Sequence, residues 1–234
     1  MILDSTALLY RKHVSPDAQD GQWQFSFPEA VPGGDEELDA DDVIFYPSGC
    51  APAHALTVAA SGDDKEGEGG EAGRGVGPVR VSASEVLSAA KIAVVTYGNG
   101  VPNALQAIVQ TGYICDVIDS PLVSRCPSAL AALLRCRCYE GLLLVDVCRE
   151  GGGPFAHVVT ALHAESALPP KWRLLSATPS YNPLGRKLTF VSAGKIGAAL
   201  HALASDVGEI RITSGVGFSR DGGSDDLLCT YAKP

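Results

Sequence analysis

The sequence predicts an α/β protein, a three-layer α/β/α arrangement around a mostly parallel central sheet. Three observations lead there. Short continuous apolar runs recur at residues 92–96, 113–118, 141–147 and 172–175, the pattern of strands buried on both faces. Between them lie stretches whose apolar residues fall on one helical face, at 101–110, 126–134 and 155–164. Glycine and proline mark each change, and strands alternating with helices in this rhythm need crossover connections and therefore pair in parallel.

The clearest unit is 91–108, KIAVVTYGNGVPNALQAI. Ile92 to Thr96 form the strand, and Tyr97-Gly98-Asn99-Gly100 supply the turn. Pro102 falls in a helix's first turn, where a residue without an N–H is tolerated. Ala104, Leu105, Ile108 and Val109 then share one face, and Thr111-Gly112 stop the helix. YICDVI at 113–118 is the second strand. Pro127 opens a second helix, 126–134, with Leu130, Leu133 and Leu134 facing inward. GLLLVDV at 141–147 is the third strand, and Gly151-Gly152-Gly153-Pro154 lead into a third helix at 155–164. The fourth strand is 172–175, segment 179–186 is irregular, and Ser192 is placed to cap a last helix over 192–204.

Upstream, residues 1–3, 22–27 and 43–46 read as strands; in QWQFSF, Trp23, Phe25 and Phe27 alternate onto one side. Residues 35–42 (DEELDADD) form a solvated loop or helix end, 51–60 a helical turn or two, 79–81 a strand and 84–90 a turn. Residues 61–78 are nearly all Gly, Glu, Asp and Ala, with too little apolar area to offset the entropy of ordering, so a disordered surface insertion is expected. Their glycines lack the Gly-Lys-Ser/Thr ending of a phosphate cradle. The tail, 205–234, carries one strand-like piece at 209–213.

The chain's 234 residues are 46% hydrophobic and 19% charged, with no apolar run near the length of a membrane span. A net charge of −9 argues against a general nucleic-acid surface. Seven cysteines, several of them inside apolar runs, suit a reduced intracellular protein. The opening MILDSTALLYRKHV shows neither a secretory apolar core nor an Arg-rich amphipathic pattern.

The strings VVTYGNGVPNALQAI, CDVID and GLLLVDVCREGGGPFAHVV resemble the C-terminal domain of the transketolase family. Within it, the chain is most similar to the beta subunit of thiamine-diphosphate 2-oxo acid dehydrogenases. ILDSTALLYR, VRVSASEV and ATPSYNPL, with Lys195-Ile196 and 198–203, extend the resemblance over about 1–30 and 79–204. The Leu-Tyr-Arg form favours the branched-chain enzyme over the pyruvate enzyme. The resemblance divides the chain into four regions. Residues 1–31 match the end of the preceding pyrimidine-binding domain and its linker, 32–78 are an acidic glycine-rich insertion, 79–204 the transketolase-like domain, and 205–234 a tail.

The resemblance implies a portion or truncated paralogue of that beta subunit, serving oxidative decarboxylation of branched-chain 2-oxo acids. Its partners would be a dehydrogenase alpha subunit, a second beta subunit and the transacylase core, in the mitochondrial matrix, with neither nucleic acid nor membrane bound. Thiamine diphosphate and Mg²⁺ belong to the assembled enzyme, and this chain alone is expected to bind no cofactor. The family's activating glutamate matches no residue here. The arginine expected after the CDVID aspartate is replaced by Ser120-Pro121, the acidic residue after the third strand by Val147 or Cys148, and a helix glutamate by His157. The alternatives are a non-catalytic scaffold or interaction protein built on the same domain, and a pyruvate dehydrogenase beta-type subunit.

No residue is assigned a catalytic, cofactor-binding or metal role. Cys136-x-Cys138, with Cys126 and Cys148 nearby in sequence, lacks the second ligand pair of a structural zinc site and reads as small apolar side chains at a helix end. His157 and His163 have no metal-ligand spacing, and Arg11-Lys12-His13 reads as a solvated patch. Gly151–Gly153 before a helix offers an anion site, although Pro154 removes one donor. Asp119 and Asp146, at strand carboxyl ends, sit where open α/β sheets place ligands.

Overall fold

The computed structural model describes residues 41–48, 55–59, 79–84, 86, 88–179 and 191–208. In chain order these form β1 (Val43–Tyr46), β2 (Leu56–Ala59), β3 (Val79–Ser82), β4 (Ile92–Thr96), α1 (Gly100–Thr111), β5 (Cys115–Asp119) and α2 (Ser128–Arg137). There follow β6 (Gly141–Arg149), α3 (Phe155–Ala164), β7 (Lys171–Ala177) and α4 (Ala193–Val207). The expected strands at 1–3, 22–27 and 209–213, and the insertion 61–78, lie outside the described residues.

One seven-stranded sheet runs in the order β3-β2-β1-β5-β4-β6-β7. Strands β5, β4, β6 and β7 are mutually parallel, while β1 runs antiparallel to both β5 and β2. The three-layer, mostly parallel α/β architecture expected from the sequence is therefore present. Strand β4 is central: all five of its residues are buried, which is why its sequence is apolar throughout rather than alternating.

Alternation along each strand sends side chains to two cores. Ala93, Val95, Ile118, Leu142 and Leu144 pack beneath α2 and α3 with Leu130, Leu133, Phe155 and Leu162. Ile92, Val94, Val117, Leu143 and Val145 pack beneath α1 and α4 with Ala104, Ala107, Ile196 and Leu200. Helix α1 buries Gly100, Val101, Ala104 and Ala107 against the sheet. Its far side carries Val109, 68% exposed.

Local signals act as expected at several ends. Gly112 closes α1 in the left-handed region, φ 70°, and its N–H donates to Ile108 O at 2.9 Å. Ser192 Oγ accepts from Lys195 N at 3.3 Å and caps α4. The expectation of a helical turn at 51–60 is corrected, because residues 56–59 are strand β2, paired antiparallel with β1 and parallel with β3. Thr57 and Val58 are buried and Leu56 and Ala59 partly buried, and four residues are too few for a helical period to be distinguished from a strand by sequence. With β1 and β2, residues from the 32–78 segment form part of the sheet.

Candidate functional site at the carboxyl edge of the sheet

The chain leaves β4 toward β5 on one side and returns from β5 to β6 on the other, so successive connections diverge above the carboxyl ends of β4 and β6. Open α/β sheets bind ligands at such a point. Tyr97 follows directly on β4. The two-residue period that turns Ala93 and Val95 to one face turns its ring to the same face, where it meets Phe155 edge-on at 5.1 Å and 65°. From β6, Asp146 projects onto the same face and is 2% exposed.

The Asp146 carboxylate is saturated from within the chain. Tyr97 OH donates to Oδ1 at 2.6 Å, Cys148 N to Oδ1 at 2.9 Å, and Phe155 N to Oδ2 at 3.1 Å. The last donor is the first N–H of α3, so the Asp146 carboxyl group sits at a helix N-terminus and accepts one of its free N–H groups. The anion site anticipated at Gly151–Gly153 is thus filled by the protein's own Asp146. Gly153 is required there, because a Cβ at that position would overlap the Asp146 carboxylate.

Between Asp146 and Arg149 the pairing of β6 with β7 shifts register. Such an irregularity re-aims the residues within it. Partly buried Cys148 consequently lies with its Sγ 3.4 Å from Tyr97 Oη. Burial, then the hydrogen bond to Asp146, raises the Tyr97 pKa far above the ordinary phenol value, so the group is a neutral donor. Tyr97, Asp146 and Cys148 therefore form a positioned donor–carboxylate–thiol set in which both carboxylate oxygens are already engaged.

Asp119, at the carboxyl end of β5 and in register with Thr96, differs. Its Oδ1 is buried and meets no hydrogen-bond partner among the described residues. Burial lifts its pKa from 3.8 to about 7. Tyr46 feels this carboxyl group: its phenol pKa is raised by burial and then by the Asp119 charge.

At the opposite, amino edge of the sheet lies a second buried carboxylate. Asp116 is 0% exposed. Ser48 N (2.9 Å) and Ser88 Oγ (2.7 Å) donate to its Oδ1, and Tyr139 OH (2.7 Å) donates to its Oδ2. Arg137 lies 6.0 Å from the Tyr139 ring and donates to the Val86 and Ser88 carbonyls. Burial raises the Asp116 pKa, opposed by these hydrogen bonds and by the Arg137 charge. The cluster ties β5, the loop before β4 and the turn before β6 together.

No protein family matches the chain, and no curated protein matches it significantly.

The structure separates the cysteines that sequence spacing brings together. Cys136 and Cys138 are exposed at the end of α2, Cys126 is partly buried before α2, and Cys148 is at the carboxyl edge. Cys136 and Cys138 lie at a helix end, as read from the sequence, and both face solvent. Among the described residues no group of three His, Cys, Asp or Glu could hold a metal. His157 and His163 are exposed on α3, and Arg11-Lys12-His13 lie outside the described residues. The residues that sequence reasoning missed are Tyr97, read only as a turn residue, and the Tyr139–Arg137–Ser88 partners of Asp116. For Tyr97 the signal existed, because continuing the strand's alternation by one residue turns it inward.

Proposed function

We propose that the chain corresponds to the C-terminal part of the beta subunit of a branched-chain-type 2-oxo acid dehydrogenase, or to a paralogue of that part. In this reading it contributes to subunit assembly rather than supplying catalytic residues. The observation that carries the proposal is where the resembling strings fall. VVTYGNGVPNALQAI, CDVID and GLLLVDVCREGGGPFAHVV become β4–α1, β5 and β6–turn–α3, three adjacent parallel strands and the helices that cover them. A resemblance that lands on one contiguous block is more informative than one scattered over the surface. The use of Asp146 and Asp116 as internal hydrogen-bond acceptors supports a structural role for both.

The scaffold reading has one observation in its favour. Edge strand β7 is exposed over its first four residues, including Trp172 at 43% and Leu174 at 41%, and such a strand offers apolar area and backbone groups to a partner.

Two measurements separate the readings. Co-expression with a branched-chain dehydrogenase alpha subunit should yield a complex that survives gel filtration, and failure to recover one counts against the subunit reading. Titration calorimetry of the chain alone with thiamine diphosphate and Mg²⁺ should register no binding. Heat consistent with a stoichiometric site would overturn the assembly role.

A further inference from the structure

Helix α2 ends on Arg135-Cys136-Arg137-Cys138. Both thiols are exposed, whereas Cys115 is buried and Cys126 and Cys148 are partly buried. Cys138 caps the helix in the left-handed region, φ 49°, a position usually held by glycine or asparagine. It also lines a cleft of about 360 Å³ between the α2–β6 turn and the α3–β7 loop. Leu134, Leu168 and Pro169 give the cleft apolar walls, exposed Arg135 adds a cation, and Glu140, paired with Lys91 at 3.2 Å, adds a carboxylate. Arg135 pairs with Glu165 at 2.9 Å, a surface contact readily exchanged for another carboxylate.

We propose that Cys138 and Cys136 form a thiol–disulfide exchange site for a small anionic disulfide of the glutathione class. The Cys138 thiolate, its proton released to solvent, attacks one sulfur of the disulfide. A bond forms between Cys138 Sγ and that sulfur, the reagent's S–S bond breaks, and one thiolate departs and is protonated. The cleft holds the attached half, with Arg135 facing its carboxylates. The Cys136 thiolate then attacks Cys138 Sγ and expels the second thiolate. The protein dithiol is oxidised by two electrons and the reagent is reduced to two thiols.

Helical rise and radius put Cα atoms two residues apart at about 5.4 Å, inside the ~4.4–6.8 Å range that a disulfide accepts. Side chains two apart point to different sides of a helix, however. Ring closure therefore opens the last turn of α2. Arg137 lies between the two cysteines, and opening the turn withdraws its guanidinium from the Val86 and Ser88 carbonyls. Oxidation at the surface is thereby transmitted to the buried Asp116–Tyr139 cluster.

The test treats the full chain with excess oxidised glutathione, alkylates it, and maps all seven cysteines by mass spectrometry. The wild-type chain should yield a peptide cross-linked between Cys136 and Cys138. Cys136→Ser should instead retain one glutathionyl group at Cys138, and Cys138→Ser should form no cross-link and acquire glutathione much more slowly. Both substitutions are at exposed sites and nearly isosteric, and circular dichroism checks their folding. Amide exchange at 86–90 should speed up in the oxidised wild-type chain and not in the Cys136→Ser adduct. Label spread equally over Cys126, Cys136 and Cys148, a wild-type adduct that is never resolved, or unchanged exchange at 86–90 in the cross-linked chain would each overturn the proposal.

Discussion

Asp119 and Asp116 are the residues at which this fold strains ordinary chemistry. Asp119 has a buried oxygen that no described residue satisfies, and a pKa near 7 caused by burial. The sign of the consequence follows from proton linkage. Between about pH 4 and 7 the unfolded chain has lost this proton while the folded chain still holds it. Unfolding therefore releases a proton, and stability falls as pH rises through that window. The elevated Asp116 pKa acts in the same direction. Asp119→Asn removes the ionisation, so it should raise the Tm at pH 8 relative to wild type and flatten the pH dependence between 4 and 7. Thermal melts at pH 5 and pH 8 check this, and an unchanged slope would show that Asp119 ionises freely in the folded state. Tyr139→Phe tests the other carboxylate. It removes one donor from a fully buried acceptor, and an unsatisfied buried group costs about 1–3 kcal/mol. Urea unfolding should show a loss of that size with an unchanged m-value.

At the scale of elements, much of the parallel half was legible because β4, β5 and most of β6 are buried on both faces. The run at 172–175, expected to be buried in the same way, instead lies on edge strand β7 with its first four residues exposed. Strand β4 matches its expected span, and helices α1, α3 and α4 match theirs to within a few residues. What was not legible depends on residues distant in sequence. Helix α2 has Pro127 at its N-cap and no side-chain cap of its own. Its first N–H groups turn instead to Asp41, with Ser128 N at 3.4 Å from Oδ1 and Ala129 N at 3.2 Å from the carbonyl, while Arg125 pairs with Oδ2 at 2.9 Å. No local pattern at 126–134 could announce a cap 87 residues away, and Asp41 itself read as part of a solvated acidic run. The saturation of Asp146 was hidden only in part for this reason: Tyr97 lies 49 residues away, whereas Cys148 N and Phe155 N are local, brought to it by the β6 irregularity and the start of α3. Asp41→Ala should destabilise the protein by about 1 kcal/mol, the usual worth of an N-cap, measured by chemical denaturation. A substitution inside β4 should behave quite differently. Val95→Asp places an unpaired carboxylate where Val95 is 0% exposed, a cost of several kcal/mol, and no soluble folded protein is expected; a wild-type melt would show that β4 is not central.

At the scale of the molecule, strands β1, β2 and β3 are bonded to the β4–β7 half, among the described residues, through the single seam between β1 and β5. Strand β1 pairs with β5 from Ile44↔Asp119 to Tyr46↔Val117, and its side chains enter both cores, Val43 and Phe45 beneath α2 and α3, Tyr46 beneath α1. Phe45 is 0% exposed and shares its cluster with Ile118 and Leu130, so the seam is held by packing as well as by ladder hydrogen bonds. Two halves sharing cores on both faces of one sheet should unfold together. Phe45→Ala should therefore lower global stability by about 3–5 kcal/mol, as expected for emptying a buried aromatic site, while preserving one cooperative transition. Amide protection in β4 and β6 should fall along with that in β1. Melting in two steps, or loss of protection confined to β1 and β2, would identify these strands as a separately folding appendage. The matching result would show that β1 and β2 belong energetically to the domain whose centre is β4.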